Sequence, residues 1–341
     1  MTTTTLQPAA ARAHARPWWR RALLTREMAT VAALLLVYVV ASTTVTGFSG
    51  PLTVTYLVLD VTPILLIALA MTPIIVTGEI DLSVASVVGL VSVTFGVLLE
   101  AGLPAALAAV LGVVVGGVCG LVNGLLVAVV GLPSLAVTIG TLALFRGLAV
   151  GLLGTRAVTS FPESWTGAVR STLGETRFPT VTLGLVVAIA VAAVVLHATA
   201  FGRDVFDIGR SPETARFSGV PVRRTKVVLF AVSGLVAGLA GIYWSLRYSS
   251  ARGDNATGLE LQVVAAVLLG GVSIFGGRGA VHGVVAGVLL IGVLSSALRL
   301  QGVTVNLINI VIGALLVLSV VTPRILAHLS DRRARSSTPR R

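Results

Sequence analysis

Cysteine and charge are both scarce in this chain. Its 341 residues include one Cys, Cys119 inside an apolar run, which excludes a disulfide framework and any zinc or iron–sulfur centre built on several thiolates. Charged residues make up 11%, against about 25% in soluble proteins. The four histidines, His14, His197, His282 and His328, lie in tails or at the ends of apolar runs, far in sequence from one another and from paired carboxylates. No catalytic constellation, metal cluster or Walker-type phosphate loop stands out, which counts against a membrane-embedded enzyme and means that any ATP that powers the protein is hydrolysed by another polypeptide. Apolar residues, by contrast, reach 55%, with a mean hydropathy of +0.99. No water-facing surface of this size hides so much apolar area, and lipid must serve as much of the solvent.

The formal charge is +12, but the basic residues flank apolar segments and form no stripe, so they read as topology signals and not as a nucleic-acid footprint. One lysine, Lys226, stands among 24 arginines. Residues 1–27 are polar and Arg-rich and lack a small-residue cleavage site, which predicts an uncleaved first helix. Apolar runs predict spans near 28–46, 55–76, 82–100, 104–130, 133–154, 179–199, 226–247, 259–275, 281–298 and 303–322. An even number puts both ends on one side of the bilayer. With that side cytoplasmic, the N-tail, the 200–226 loop, the turn at 276–281 and the C-tail hold Lys226 and most of the arginines, as the positive-inside bias requires. The other side keeps Arg156, Arg170, Arg177, Arg247, Arg252 and Arg299.

The chain therefore reads as an all-α polytopic membrane protein of about ten helices. Residues 1–27 form a cytoplasmic tail, 28–322 the transmembrane domain with a cytoplasmic loop at 200–226, and 323–341 a basic cytoplasmic tail. Thr77-Gly78 leads into Val84-Ala85 and Val87, and Thr257-Gly258 leads into Val264-Ala265 and Val267 at the same offsets. The copies start at opposite faces, as in the inverted repeats of transporters.

Polar groups inside the membrane are costly and mark candidate function. Asp60 and Arg146 each lie about 12 Å from the outer end of their helix at 1.5 Å per residue, and they could pair; alternatively Asp60 faces an outer vestibule and Arg146 snorkels to the headgroups. Thr77, Asn123, Asn306 and Asn309 are further candidates for a polar translocation path, although hydrogen bonding between helices is the commoner fate of such groups. In Thr77-Gly78-Glu79-Ile80-Asp81-Leu82-Ser83 two carboxylates precede a helix, where Asp81 or Ser83 suits a cap. A proton relay there is the weaker reading, since nothing basic lies at helical spacing from either acid.

The 200–226 loop spells a short helix with both stops. Ser211 suits the N-cap, Pro212 the first helical position, Glu213 the favourable end of the dipole, and Gly219 a left-handed C-terminal residue, while Pro221 bars continuation. Ala215, Arg216 and Phe217 complete a surface suited to docking another protein.

These segments carry a family resemblance. Gly78-Glu79-Ile80-Asp81-Leu82-Ser83-Val84-Ala85-Ser86 resembles the GGIDLSVGS signature of the ribose-type permeases of bacterial ABC importers. Asn123-Gly124, Thr138-Ile139-Gly140-Thr141 and Arg146-Gly147 look like that family's next blocks. Glu213-Thr214-Ala215-Arg216-Phe217-Ser218-Gly219 is similar to its EAARxSG coupling segment, and 266–279 to its AAVVLGGxSxxGGxG stretch. The resemblance covers about 55–320. It implies a plasma-membrane permease subunit that works with a second permease, identical or related, with a cytoplasmic ATPase that binds and hydrolyses the ATP, and with an extracytoplasmic sugar-binding protein. It places Ser211, Glu213, Ala215, Arg216, Phe217 and Gly219 on the ATPase-coupling helix and Gly78, Asp81, Leu82 and Ser83 in the signature. Glu79 stands where the family has a second Gly and Ala85 where it has a later one. The expected solute is ribose, xylose, rhamnose or a related sugar, with autoinducer-2 as the alternative. An ion-coupled secondary transporter is the rival from another class; it needs a titratable site in the membrane, for which Asp60 is the candidate.

Overall fold

A computed structural model describes residues 25–336, except the side chains of Arg26, Val320 and residues 322–336. The greater part of the 1–27 tail and the last residues of the 323–341 tail lie outside it. Among the described residues there are thirteen helices and, in place of strands, two isolated bridges, Val158 with Ala251 and Thr172 with Pro179.

The helices are α1 (Arg26–Thr44), α2 (Thr53–Val76), α3 (Val84–Glu100), α4 (Ala105–Leu125, extended by a π-turn at Leu126–Val130), α5 (Ser134–Leu153), α6 (Glu163–Arg170), α7 (Val181–Ala198), α8 (Ala200–Arg210), α9 (Pro212–Phe217), α10 (Val222–Tyr248), α11 (Leu259–Leu269), α12 (Val281–Leu300) and α13 (Val305–Ser336). Seven of them, α1, α2, α4, α5, α7, α10 and α12, are long and apolar enough to cross a membrane; α3, α11 and the first half of α13 are shorter apolar helices. A helix lies within each of the ten expected apolar segments, but the one expected over 259–275 ends at Leu269. Helix extends beyond the expected apolar spans in two places. The connection at 155–178 contains α6, which begins directly after Pro162 with Glu163 in its first turn, the favourable end of the dipole. The last helix does not stop at 322: it runs on to Ser336.

Burial sorts the helices into a centre and a rim. α2, α10 and α12 are largely buried, whereas α1 and α7 expose most of their apolar side chains, Val186, Val187, Val191 and Val194 among them. A helix apolar on every side is stable in that position only where lipid covers it.

α10 packs against α4, α3 and α2. Its approach to α4 rests on glycine: a Cβ on Gly120 would lie 2.2 Å from the Phe230 carbonyl oxygen, and one on Gly234 would lie 2.2 Å from that of Gly116. Small residues that let backbones touch are a principal source of helix association in lipid. Gly120→Ala is therefore expected to force the two helices apart at a cost of about 1–3 kcal/mol, measurable as a lower midpoint of thermal unfolding in detergent.

α11 has 11 residues, about 16 Å at 1.5 Å per residue, roughly half of a bilayer core. The chain covers the rest of that depth as a non-helical segment, turning at Gly271, Gly276 and Gly277, all with positive φ. Irregular backbone at membrane depth is tolerated where protein surrounds it. The two copies of the weak repeat also share a backbone state, since Gly78 has φ +84° and Gly258 φ +85°. Gly78 follows α2 at the bundle end that carries α8 and α9, and Gly258 follows α10 at the far end.

Candidate coupling and translocation sites

At the near end the expected short helix is α9. The Ser211 hydroxyl accepts a hydrogen bond from the Thr214 N–H at 3.2 Å, with Pro212 in the first turn, and Gly219 has φ +86°. Ala215 packs with Ile208 and Val222, while Phe217 is 92% exposed. A second element escaped the sequence reading. α8 precedes α9, and its start is capped by the Thr199 hydroxyl, which accepts from the Gly202 N–H at 3.1 Å. The signal was present in Thr199 followed by buried Gly202, Val205 and Ile208 at helical spacing.

Gly209 joins this pair of helices to the bundle. A Cβ there would lie 1.8 Å from the Val76 carbonyl oxygen and 2.4 Å from the Gly277 nitrogen. The same Val76 oxygen accepts from the Gly277 N–H at 2.8 Å. The end of α8, the end of α2 and the irregular segment after α11 therefore meet at one backbone contact.

The signature segment beside it is a hydrogen-bonded crosslink. Asp81 is 2% exposed. Its Oδ1 accepts from the Ser83 N–H at 3.0 Å and the Ser83 hydroxyl at 2.6 Å, and its Oδ2 accepts from the Ser233 hydroxyl at 3.3 Å. Asn123 donates to Ser83 Oγ at 2.8 Å, and Ser134 accepts from the Ile80 N–H at 3.2 Å. Asp81 thus braces Ser83, the residue before α3, which itself makes no side-chain capping bond, and ties this segment to α10 and, through Ser83 and Ile80, to α4 and α5. Thr77 turns back onto the Ile74 carbonyl at 2.7 Å. Thr77 and Asn123 are both buried within packing. Glu79 pairs with Lys226, the basic partner that helical spacing could not reveal because it lies on α10.

The pairing of Asp60 with Arg146 does not form. Arg146 donates to the carbonyls of Gly253 at 2.8 Å, Asn255 at 2.7 Å and Ala85 at 3.3 Å, fastening α5 to the 250–258 turn. Gly89 leaves room for it, since a Cβ there would lie 2.5 Å from the guanidinium. Asp60 instead meets two guanidinium groups, Arg247 at 3.3 Å and Arg299 at 3.2 Å. The reason is packing order: α2 lies between α10 and α12, and Arg146 is on the far side of α3.

Beside Asp60 opens a cavity of about 140 Å³ bounded by α2, α10, α11, α12 and α13, with Trp244, Gln262, Arg299 and Asn309 among its lining. Asp60 and Asn309 thus reach the same space, whereas Thr77, Asn123, Arg146 and Asn306 do not line it. Among the described residues no group of three or more His, Cys, Asp or Glu gathers as a metal site.

The family model for the branched-chain amino acid transport system permease component matches residues 53–320. Relatives include the Autoinducer 2 import system permease protein LsrD of Photorhabdus luminescens, 32% identical over 269 residues, covering 77% of this chain and 80% of that protein. The protein of the same name from Yersinia pseudotuberculosis serotype O:1b (strain IP 31758) is 34% identical over 286 residues, 80% of this chain and 85% of its own length. That of Escherichia coli O157:H7 is 33% identical over 269 residues, 77% and 81%. No solved structure gives a significant match. With the family model spanning most of the chain and the apolar helices arranged as a multi-pass bundle, this protein belongs to the branched-chain amino acid transport system permease family, as a membrane-spanning subunit of an ABC importer.

Proposed function

We propose that this permease imports autoinducer-2 or a closely related small polyhydroxylated solute, using ATP hydrolysed by a separate subunit that docks on α9. The relatives named above favour autoinducer-2 over ribose, xylose or rhamnose. The contact of Gly209 with Val76 and Gly277 is the observation that carries the mechanism. A push on α8 and α9 reaches, through rigid backbone, the end of α2 and the irregular segment after α11, and packed interfaces of this kind switch between discrete arrangements instead of deforming smoothly. Closure of the ATPase pair would thus rock α2 and α11 so that the path opens outward and then inward. A second permease completes the path, a binding protein delivers solute, and both termini face the cytoplasm, in keeping with the basic residues near α8 and α9.

Against ion coupling stands the occupancy of two acids, Asp81 buried and Asp60 partly so. Asp60 faces Arg247 and Arg299, and Asp81 is filled by Ser83 and Ser233. The charge of Asp60 is thus outweighed by two guanidinium groups, and Asp81 is closed in by hydroxyl donors, so neither offers a cation a net negative site.

The test is uptake of autoinducer-2 into proteoliposomes containing the permease, its ATPase and its binding protein. Uptake that needs ATP supports the reading; uptake driven by an ion gradient alone overturns it. At the docking surface, Phe217→Asp is expected to weaken capture of the ATPase by about 2 kcal/mol, as for a central apolar anchor. Helix content by circular dichroism should stay unchanged, because the side chain is solvent-exposed.

A further inference from the structure

The cavity beside Asp60 is built for hydroxyl groups. Asp60 presents both carboxylate oxygens, each facing one guanidinium; a carboxylate has about four lone-pair directions, so each oxygen can accept a further bond. Across the cavity the side-chain amides of Gln262 and Asn309 and the indole N–H of Trp244 make no hydrogen bond to the described residues. Trp244 lies beside Tyr248, ring centroids 5.0 Å apart, offering an aromatic surface to C–H groups. A carboxylate, solvent-accessible amides with no internal side-chain partner and an aromatic face in one space complement a small polyol better than an apolar solute. The two arginines against one aspartate leave an excess of positive charge, which disfavours a cation.

The two arginines are not held alike. Arg247 is 14% exposed and lies over the rings of Tyr56 at 5.6 Å and Tyr248 at 5.3 Å. Arg299 is 48% exposed and also borders a neighbouring cavity of about 440 Å³ that reaches Asp60 and Ser296. Arg299 is the partner that a solute can displace.

We propose that this cavity is a binding station for a small polyhydroxylated solute within the permease itself. Asp60, Gln262 and Asn309 meet its hydroxyls, Trp244 covers its C–H face, and Arg299 yields its place on Asp60 as the solute arrives. The proposal rests on the import reading above and adds to it a selectivity determined by this chain as well as by the binding protein.

Titration of autoinducer-2 and of D-ribose onto the purified full-length chain, followed by tryptophan fluorescence, tests it. At least one solute should quench the wild type, and Trp244→Phe should abolish the quench. Gln262→Ala and Asn309→Ala break no internal hydrogen bond, and each should raise the half-saturating concentration about tenfold, equivalent to ~1.4 kcal/mol. These two variants carry the test because Asp60→Asn also weakens two ion pairs. No quench by either solute, or the same half-saturation in wild type and both variants, overturns the station. Proteoliposome uptake separates the two readings. Binding without ATP-driven uptake overturns import and supports the station, whereas ATP-driven uptake with KM and kcat unchanged in both variants overturns the station and leaves import standing.

Discussion

Lys226→Ala is expected to destabilise the permease by about 3 kcal/mol, as removal of one partner strands a charge that the fold has largely withdrawn from water. Lys226 and Glu79 are 14% and 18% exposed in their side chains. Glu79 sits in the link between α2 and α3, and Lys226 in the first turns of α10, immediately after the coupling helices. The pair therefore spans the near end, beside the place where α8 meets the bundle. Replacing both residues together, Glu79→Gly with Lys226→Met, should recover most of the loss, because it leaves no lone charge and restores the glycine of the family signature. Thermal unfolding in detergent checks this: the single variant should have the lower midpoint and the double variant should approach the wild type. Equal midpoints for the single variant and the wild type would show that the pair contributes nothing.

Gly209→Val is expected to abolish import while ATP hydrolysis continues. The β-carbon has no space, at 1.8 Å from one backbone atom and 2.4 Å from another, and neither neighbour is a side chain able to rotate away. α8 must leave its seat on Val76, and the push from the ATPase no longer reaches α2 or the segment after α11. Overpacking of this kind costs about 1–3 kcal/mol in stability, a loss that a bundle of this size can tolerate, so the defect falls mainly on coupling. The measurement is the ratio of solute imported to ATP hydrolysed in proteoliposomes. Gly219→Ala is the control for conformational strain alone: its φ of +86° is unfavourable for alanine, but no atom lies within 4 Å of the added carbon. It should cost about 1 kcal/mol and retain part of the coupling.

Where structure is encoded locally, the sequence was readable. α9 followed from Ser211, Pro212, Gly219 and Pro221, because caps and stops act over three or four residues. The apolar segments followed from run length, because a bilayer of fixed thickness demands it. α8 was missed because its four charges, Arg203, Asp204, Asp207 and Arg210, made the stretch read as a solvated loop despite the helical spacing of Val205 and Ile208. The partners of Asp60, Arg146 and Glu79 were out of reach for another reason. Arg247 and Arg299 lie 187 and 239 positions from Asp60, Gly253 lies 107 positions from Arg146, and Lys226 lies 147 positions from Glu79. No periodicity connects residues so distant.

Composition and short-range spacing alone were enough to establish that this chain is a multi-pass helical membrane protein with a capped helix at 212–217, since hydrophobic thickness and helix capping are local constraints. The tertiary structure decided which charges neutralise one another, which glycine seats α8 against the bundle, and which polar side chains share a cavity. Those outcomes depend on the order in which helices pack, and packing order is a property of the whole chain.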